Sequence, residues 1–325
     1  MAKARAIVKR RKAVRNIKKI TKTMQMIATA KFQKSLKRAV GTKPYTMKVR
    51  ELVRELAASV GNVEHPLLRR PGADDRTNRI ALLVLTSNRG LAGAYNGSVL
   101  RATNVFLRAQ EAAGKAIDLY VAGKKGISYF NFQKRAILQR IDAQDTPAFA
   151  DVERLADEFI RRFTTGEVDS VHVAYMNFIS TGVQRAEVMS LLPLAGVAEI
   201  VEHIGKQAAE KESQAAAGAM DARRSGAGAV GAAMPLHVEV TYDFMPGAKE
   251  LLDELLPLTV KTALFHAFLD ATTSEHVARM VAMKSATDNA DKMQKALTMQ
   301  YNRARQSQIT TELSEIMGGV EAMKS

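Results

Sequence analysis

TVKTALFHAFLDATTSEHVARMVAMKSATDNADKMQKALTMQYNRARQSQITTELSEIMG, residues 259–318, decides the fold of this chain. From Thr259 to Met317 it has neither Pro nor Gly, so nothing in the backbone interrupts a helix of about 90 Å at about 1.5 Å per residue. Apolar residues recur at helical spacing in its distal part: Met293, Leu297, Tyr301, then Ile309, Leu313, Ile316 and Val320. Gly318 and Gly319 read as its C-terminal stop. A helix this long with one narrow seam needs a partner helix along most of its length.

The partner is found at the other end of the chain. Residues 1–38 lack Gly and Pro, and Ile7, Val14, Ile17, Ile20, Met24 and Ile27 follow steps of seven, three, three, four and three. Counted in heptads with Ile7 at position a, eight of the first ten basic residues fall at b, c, e or f, away from that edge; Lys3 and Arg10 are the exceptions. The apolar edge is therefore expected to face a second helix and the charge to face outward. Two seamed helices at the chain ends predict an antiparallel coiled coil. Pro44 is expected to kink the first helix, which resumes and stops at Gly61, and Pro257 to kink the last helix early.

Between them the pattern changes. After a linker, residues 61–78, short apolar runs alternate with helical stretches: strands RIALLVLTS, AIDLYVAG, RAILQRI, SVHVAYMNF and QRAEVMSLLPL; helices SVLRATNVFLRAQEAAG, KKGISYFNF and DVERLADEFIRRFTTG. Alternation of this kind predicts a Rossmann-like α/β domain with a mostly parallel sheet over residues 76–200. Residues 203–234 are rich in Ala, Gly and Ser, and from Ser213 to Ala233 Met220 and Val230 are the only large apolar side chains, which reads as a flexible insertion over 201–235. A last strand, LHVEVTYDF, and the terminal helix complete the segment 236–325; residues 1–60 form the first helix.

Composition narrows the function. The net charge of +15 sits at one end: residues 1–50 hold 17 of the 48 Lys and Arg and no acid, leaving 31 basic residues against all 33 acidic ones. Such a block suits nucleic acid, an anionic membrane face or an acidic protein. Zero Cys excludes disulfides, thiol catalysis and Cys-ligated metals. No apolar run approaches the length of a membrane span, and the start of the chain has no secretory pattern, so direct membrane insertion is not expected. The six histidines never fall at metal-ligand spacing, no G-x-S-x-G elbow occurs, and Asp142, Asp145 and Asp151 read as turn and cap chemistry around Pro147. The turn SNRGLAGAYN has Gly90 and Gly93 where nucleotide folds hold phosphate, but it matches neither phosphate-binding pattern. No catalytic constellation, cofactor site or metal site is expected. For nucleic acid, aromatic platforms should interleave with the basic residues, yet the first aromatic is Phe32.

KKITKTMQMIATAKFQKS (18–35), SEHVARMVAMKSATDNADK (274–292) and YNRARQSQITTELSEIMGG (301–319), with TSNRGLAGAYN, closely resemble the gamma subunits of rotary ATP synthases. The resemblance implies a non-catalytic rotor shaft inside a hexamer of alpha and beta subunits, joined to an epsilon subunit and a membrane ring of c subunits. It also implies a peripheral position on the cytoplasmic face of a bacterial inner membrane. Met24 and Arg279 match positions beside the acidic lever of the catalytic subunits; Arg305, Gln306 and Thr310 match positions that engage their loops. Met245, in YDFMPGAK, stands where a glutamate is common, and the 203–234 segment sits where plant chloroplast relatives carry a regulatory insertion, without their cysteine pair. The alternatives are a nucleic-acid-binding coiled-coil protein using the basic arm and, third, a nucleotide-binding α/β enzyme.

Overall fold

The computed structural model describes residues 2–60, 65–68, 77–142, 145–194 and 248–324. The expected last strand, the insertion, Met245 and most of the 61–78 linker lie outside them. In chain order the elements are α1 (Ala2–Val60), β1 (Arg79–Leu85), α2 (Tyr95–Ala112), β2 (Ala116–Ala122), α3 (Lys124–Phe132), β3 (Gln139–Ile141), α4 (Phe149–Thr164), β4 (Ser170–Phe178), β5 (Gln184–Leu192) and α5 (Ala248–Lys324). Two long terminal helices thus flank a sheet with strand order β3-β2-β1-β4-β5. Contacts divide the chain into two compact units: Met1–Lys34, Gly90–Tyr95 and Glu275–Ser325 in one, Ser35–Arg89 and Asn96–Ser274 in the other.

In the sheet unit, β1 is buried on both faces from Ile80 to Leu85, which is why its sequence is a continuous apolar run instead of an alternation. One face, with Ala81, Leu83, Leu85, Val171 and Val173, packs against Val152, Leu155 and Phe159 of α4 and Leu252, Leu256, Val260, Leu264, Ala267 and Ala271 of α5. Those α5 residues recur every three or four positions, the stripe a helix lays on a sheet. The other face is met by α2, where Phe106 lies 4.8 Å from the His172 ring, and by α3. Arg162 of α4 donates to Asp118 at 2.5 Å, to the Tyr120 hydroxyl at 2.7 Å and to Glu167 at 3.0 Å, so its buried charge is fully matched.

Several boundaries differ from the sequence reading. The strand expected over 135–141 is only Gln139–Ile141, because Lys134 turns left-handed (φ 54°) and the Arg135 amide closes α3 on the Phe130 carbonyl. β5 runs antiparallel to β4, through a turn in which Ser180 and Val183 exchange backbone bonds. The helix does not stop at Gly318: α5 runs through both glycines to Lys324, at a cost of roughly 1 kcal/mol each relative to Ala. α1 and α5 are each continuous through Pro44 and Pro257, with no interruption between two shorter helices.

His172 gives the sheet unit an acid limit. Its ring is packed on Phe106, Nε2 lies 3.0 Å from Ser170 Oγ, and burial, with Lys115 nearby, lowers its pKa to about 4. The unfolded chain takes up this proton near pH 6.5 and the folded chain resists it. His172 therefore stabilises the fold above pH 6.5, and this contribution is lost as the pH falls towards 4, by about 3 kcal/mol. Urea unfolding at pH 7 and pH 4.5 should show that loss in the parent chain and a clearly smaller one in His172→Phe.

Candidate functional site

The turn after β1 is where a nucleotide fold would hold phosphate, and the structure shows how it is used instead. Thr86 Oγ1 accepts from the Gly126 amide (2.9 Å), the Ser87 carbonyl from the Lys125 amide (3.1 Å) and Asn88 Oδ1 from the Lys124 amide (3.0 Å). The turn thus packs against the start of α3, whose first amides are taken by Thr86, Ser87 and Asn88. No group of three or more metal-ligating side chains occurs among the described residues.

In the other unit, the Gly90–Tyr95 loop lies on one face of α5. A Cβ built on Gly93 would sit 3.7 Å from Ala282 Cβ and 3.8 Å from the Ala278 carbonyl. Arg279 aims Nε and Nη2 at the Gly90 carbonyl, both at 3.4 Å, and pairs with Glu275 at 2.7 Å. Glu275, Ala278, Arg279 and Ala282 share a helix face by their spacing. Tyr95 is buried beside them, and burial, with the Glu275 charge, pushes its hydroxyl far above the usual phenol range. Arg279, matched by resemblance to a partner-facing position, is thus a buried side chain, 8% exposed, engaged within its own chain.

The two terminal helices meet at polar points in this unit. Arg11 lies 4.9 Å above the Tyr301 ring, Lys18 Nζ reaches Asp291 at 2.6 Å, and the Thr287 hydroxyl donates to the Thr21 hydroxyl at 2.8 Å. Lys18 holds the Asp291 carboxyl below the usual carboxylate range. On α1 Val14, Thr21 and Ala28 are buried at heptad spacing, as is Phe32 one turn further, with Ile7, Arg11, Lys18 and Gln25 half-buried beside them. On α5 the covered positions are Met283, Thr287, Ala290, Gln294, Leu297, Tyr301, Ala304 and Gln308, in alternating steps of four and three.

This corrects the edge read from sequence. Ile7, Val14, Leu297 and Tyr301 belong to it, but Ile17, Ile20 and Ile27 are each more than half exposed, as are Met293, Ile309, Leu313 and Ile316 on α5. Small and hydroxylated residues share the covered edge with Val14, Met283, Leu297 and Tyr301, and several large apolar residues are left on the outside. Met24 is half-buried, one turn beyond Thr21. Arg305, Gln306 and Thr310 are exposed; the Thr310 hydroxyl donates to the Gln306 carbonyl at 3.0 Å, and with Ser307, Thr311, Ser314 and Glu315 it lines a shallow groove. The structure thus keeps Arg305, Gln306 and Thr310 together at the distal part of α5. Arg279 lies more than six turns away along that helix. Sequence reasoning quoted the motifs that hold Glu275, Tyr95 and Gly90 but did not bring these residues together with Arg279; the i, i+4 spacing of Glu275 and Arg279 is one that a surface pair shares.

The comparisons with known proteins cover the whole chain. The family model described as "ATP synthase" matches residues 3–323. The chain is 40% identical over 325 residues to the ATP synthase gamma chain of Rhodopirellula baltica, covering 100% of both. It is 36% identical over 324 residues to that of Leptospira biflexa, covering 99% of this chain and 100% of the relative. Among solved structures, a chain from the OSCP/F1/c-ring part of the Euglena gracilis mitochondrial ATP synthase superposes with a TM-score of 0.59 at 18% identity, over 99% of this chain and 95% of that one. A chain from the rotor of the same enzyme gives 0.56 at 17%, over 95% and 99%. These two likenesses concern the fold. Matched over its full length by relatives that share more than a third of its residues, the chain belongs to the ATP synthase gamma-chain family.

Proposed function

We propose that the chain is the central rotor shaft of a rotary ATP synthase and does no chemistry itself. The observation that carries this reading is the full-length match to gamma chains. In the proposal, residues 1–60 and 236–325 supply an antiparallel two-helix shaft, 76–200 an α/β domain beside it, and 201–235 an insertion. The order of the contacts Arg11–Tyr301, Lys18–Asp291 and Thr21–Thr287, rising along α1 while falling along α5, supports antiparallel pairing.

The shaft stands inside a hexamer of alpha and beta subunits, and the catalytic chemistry belongs to them. Its asymmetric sides press on three catalytic subunits in turn, so that their affinities differ at any instant and interchange on rotation. Met24, Arg305, Gln306 and Thr310 meet these subunits directly, and Arg279 is part of the same contact region. The exposed apolar residues of distal α5 suit enclosure by a protein sleeve better than exposure to water. The basic sleeve of α1 serves an acidic protein partner; family membership decides against the nucleic-acid alternative. An epsilon subunit and the c ring complete the rotor. The chain is peripheral on the cytoplasmic face of a bacterial inner membrane, and among the described residues no helix is long and apolar enough to cross a membrane.

Affinity purification of the chain from its native membranes tests the reading. Two abundant nucleotide-binding proteins should accompany it in threefold excess, with ring and small stalk subunits. Recovery with nucleic acid, retained with a salt dependence set by many phosphates, would contradict it.

A further inference from the structure

Leu91 has a backbone that leucine rarely adopts, φ 64°, and its large apolar side chain is 60% exposed. Its neighbours are fixed. The Gly90 carbonyl faces the Arg279 guanidinium, Ala92 and Tyr95 are buried, and Gly93, itself left-handed at φ 56°, lies against Ala278 and Ala282. A strained residue persists only where its surroundings over-determine it, and such residues concentrate at contact sites. The surroundings here are an ion pair between half-buried Glu275 and buried Arg279, whose cation is aimed at a backbone carbonyl of the loop.

We infer that Arg279 is a positioning residue: with Glu275 it braces the Gly90–Tyr95 loop against α5, so that Leu91 is held outward as the contact made on the catalytic subunits. This rests on the rotor reading and changes Arg279's part in it. The arginine acts through the loop and does not touch the partner. Glu275 holds the guanidinium in place through Nη2, 2.7 Å from its carboxylate, which leaves the side chain few ways to turn. Arg279→Lys keeps the charge and loses the fork, so it should hold the loop partially.

The test follows amide hydrogen exchange across residues 88–95 in the assembled complex, together with ions pumped per ATP hydrolysed. Arg279→Gln and Glu275→Gln should each speed exchange in the loop about tenfold, with Arg279→Lys between them and the parent. Exchange at residues 300–310 should be unchanged, and coupling should fall in the same order. Leu91→Ala should lower coupling without altering loop exchange. Coupling lost in Arg279→Gln alone, with loop exchange unchanged and Glu275→Gln silent, would overturn the brace and restore a direct contact for Arg279, leaving the rotor reading intact. Unchanged exchange and coupling in every variant would also overturn it. If the parent chain does not assemble with the nucleotide-binding subunits, the rotor reading fails, and exchange on the full chain alone still decides whether the brace exists. Should Arg279→Gln fail to fold, Arg279→Lys and Leu91→Ala carry the same test.

Discussion

Gly123→Ala is expected to unfold the sheet unit or to leave it barely stable. Gly123 caps α3 with φ 91°, and a Cβ there would lie 2.1 Å from the Thr86 carbonyl oxygen and 2.8 Å from Thr86 Oγ1. Neither atom can yield. The Thr86 amide is bound to the Ala122 carbonyl at the end of the ladder, and its hydroxyl donates to Ala122 and accepts from Gly126. Overpacking and backbone strain together should cost at least about 3 kcal/mol. Gly114→Ala is the control. Its φ of 74° is as unfavourable, but nothing lies within 4 Å of a Cβ, so only about 1–2 kcal/mol of strain should appear. Urea unfolding of the two variants should differ by that margin; equal effects would mean that the Thr86 contact gives way.

The second large effect is expected at Met24. The residue is half-buried on the side of α1 that carries Ile17, Ile20 and Ile27, amid a helix whose charges are almost all positive. In the proposed assembly Met24→Lys would add an amine within reach of an acidic partner surface, and a hydrogen bond from a charged group at a closed interface contributes about 1.5–3 kcal/mol. Each turn brings the shaft past that surface. A contact stronger by this amount at one angular position should slow departure from it about tenfold to a hundredfold. Ions pumped per ATP hydrolysed should therefore fall while the yield of assembled complex is kept. Normal coupling in a normally assembled complex would remove Met24 from the contact surface.

The architecture was legible where burial is one-sided or complete. The runs at 79–85 and 170–178 read as strands because both sheet faces are covered, and the Gly- and Pro-free ends read as long helices because nothing in the backbone breaks them. The helix edge was misread for a physical reason. Pattern reading seeks large apolar side chains, whereas the covered positions include Thr21, Ala28, Thr287 and Ala290, and Ile17, Ile20 and Ile27 are more than half exposed. Gly318 and Gly319 read as a stop because glycine usually ends helices in a left-handed turn; here both remain helical.

The site was legible only in part. Arg305, Gln306 and Thr310 were singled out by the resemblance, and the structure leaves all three exposed on distal α5. The burial of Arg279 was not legible, since its carbonyl partner, Gly90, is 189 residues away. Distance in sequence also hid Lys18–Asp291 and Thr21–Thr287, neither of which belongs to a local pattern.

The claim that this chain turns as a shaft is tested most directly by watching it turn. The chain has no cysteine, so a single Cys at Val105, 71% exposed on α2, takes one optical marker at one site. With the hexamer fixed to a surface and ATP supplied, the marker should revolve in one direction with three pauses per turn. A stationary marker on a labelled complex that hydrolyses ATP at the normal rate would contradict the account.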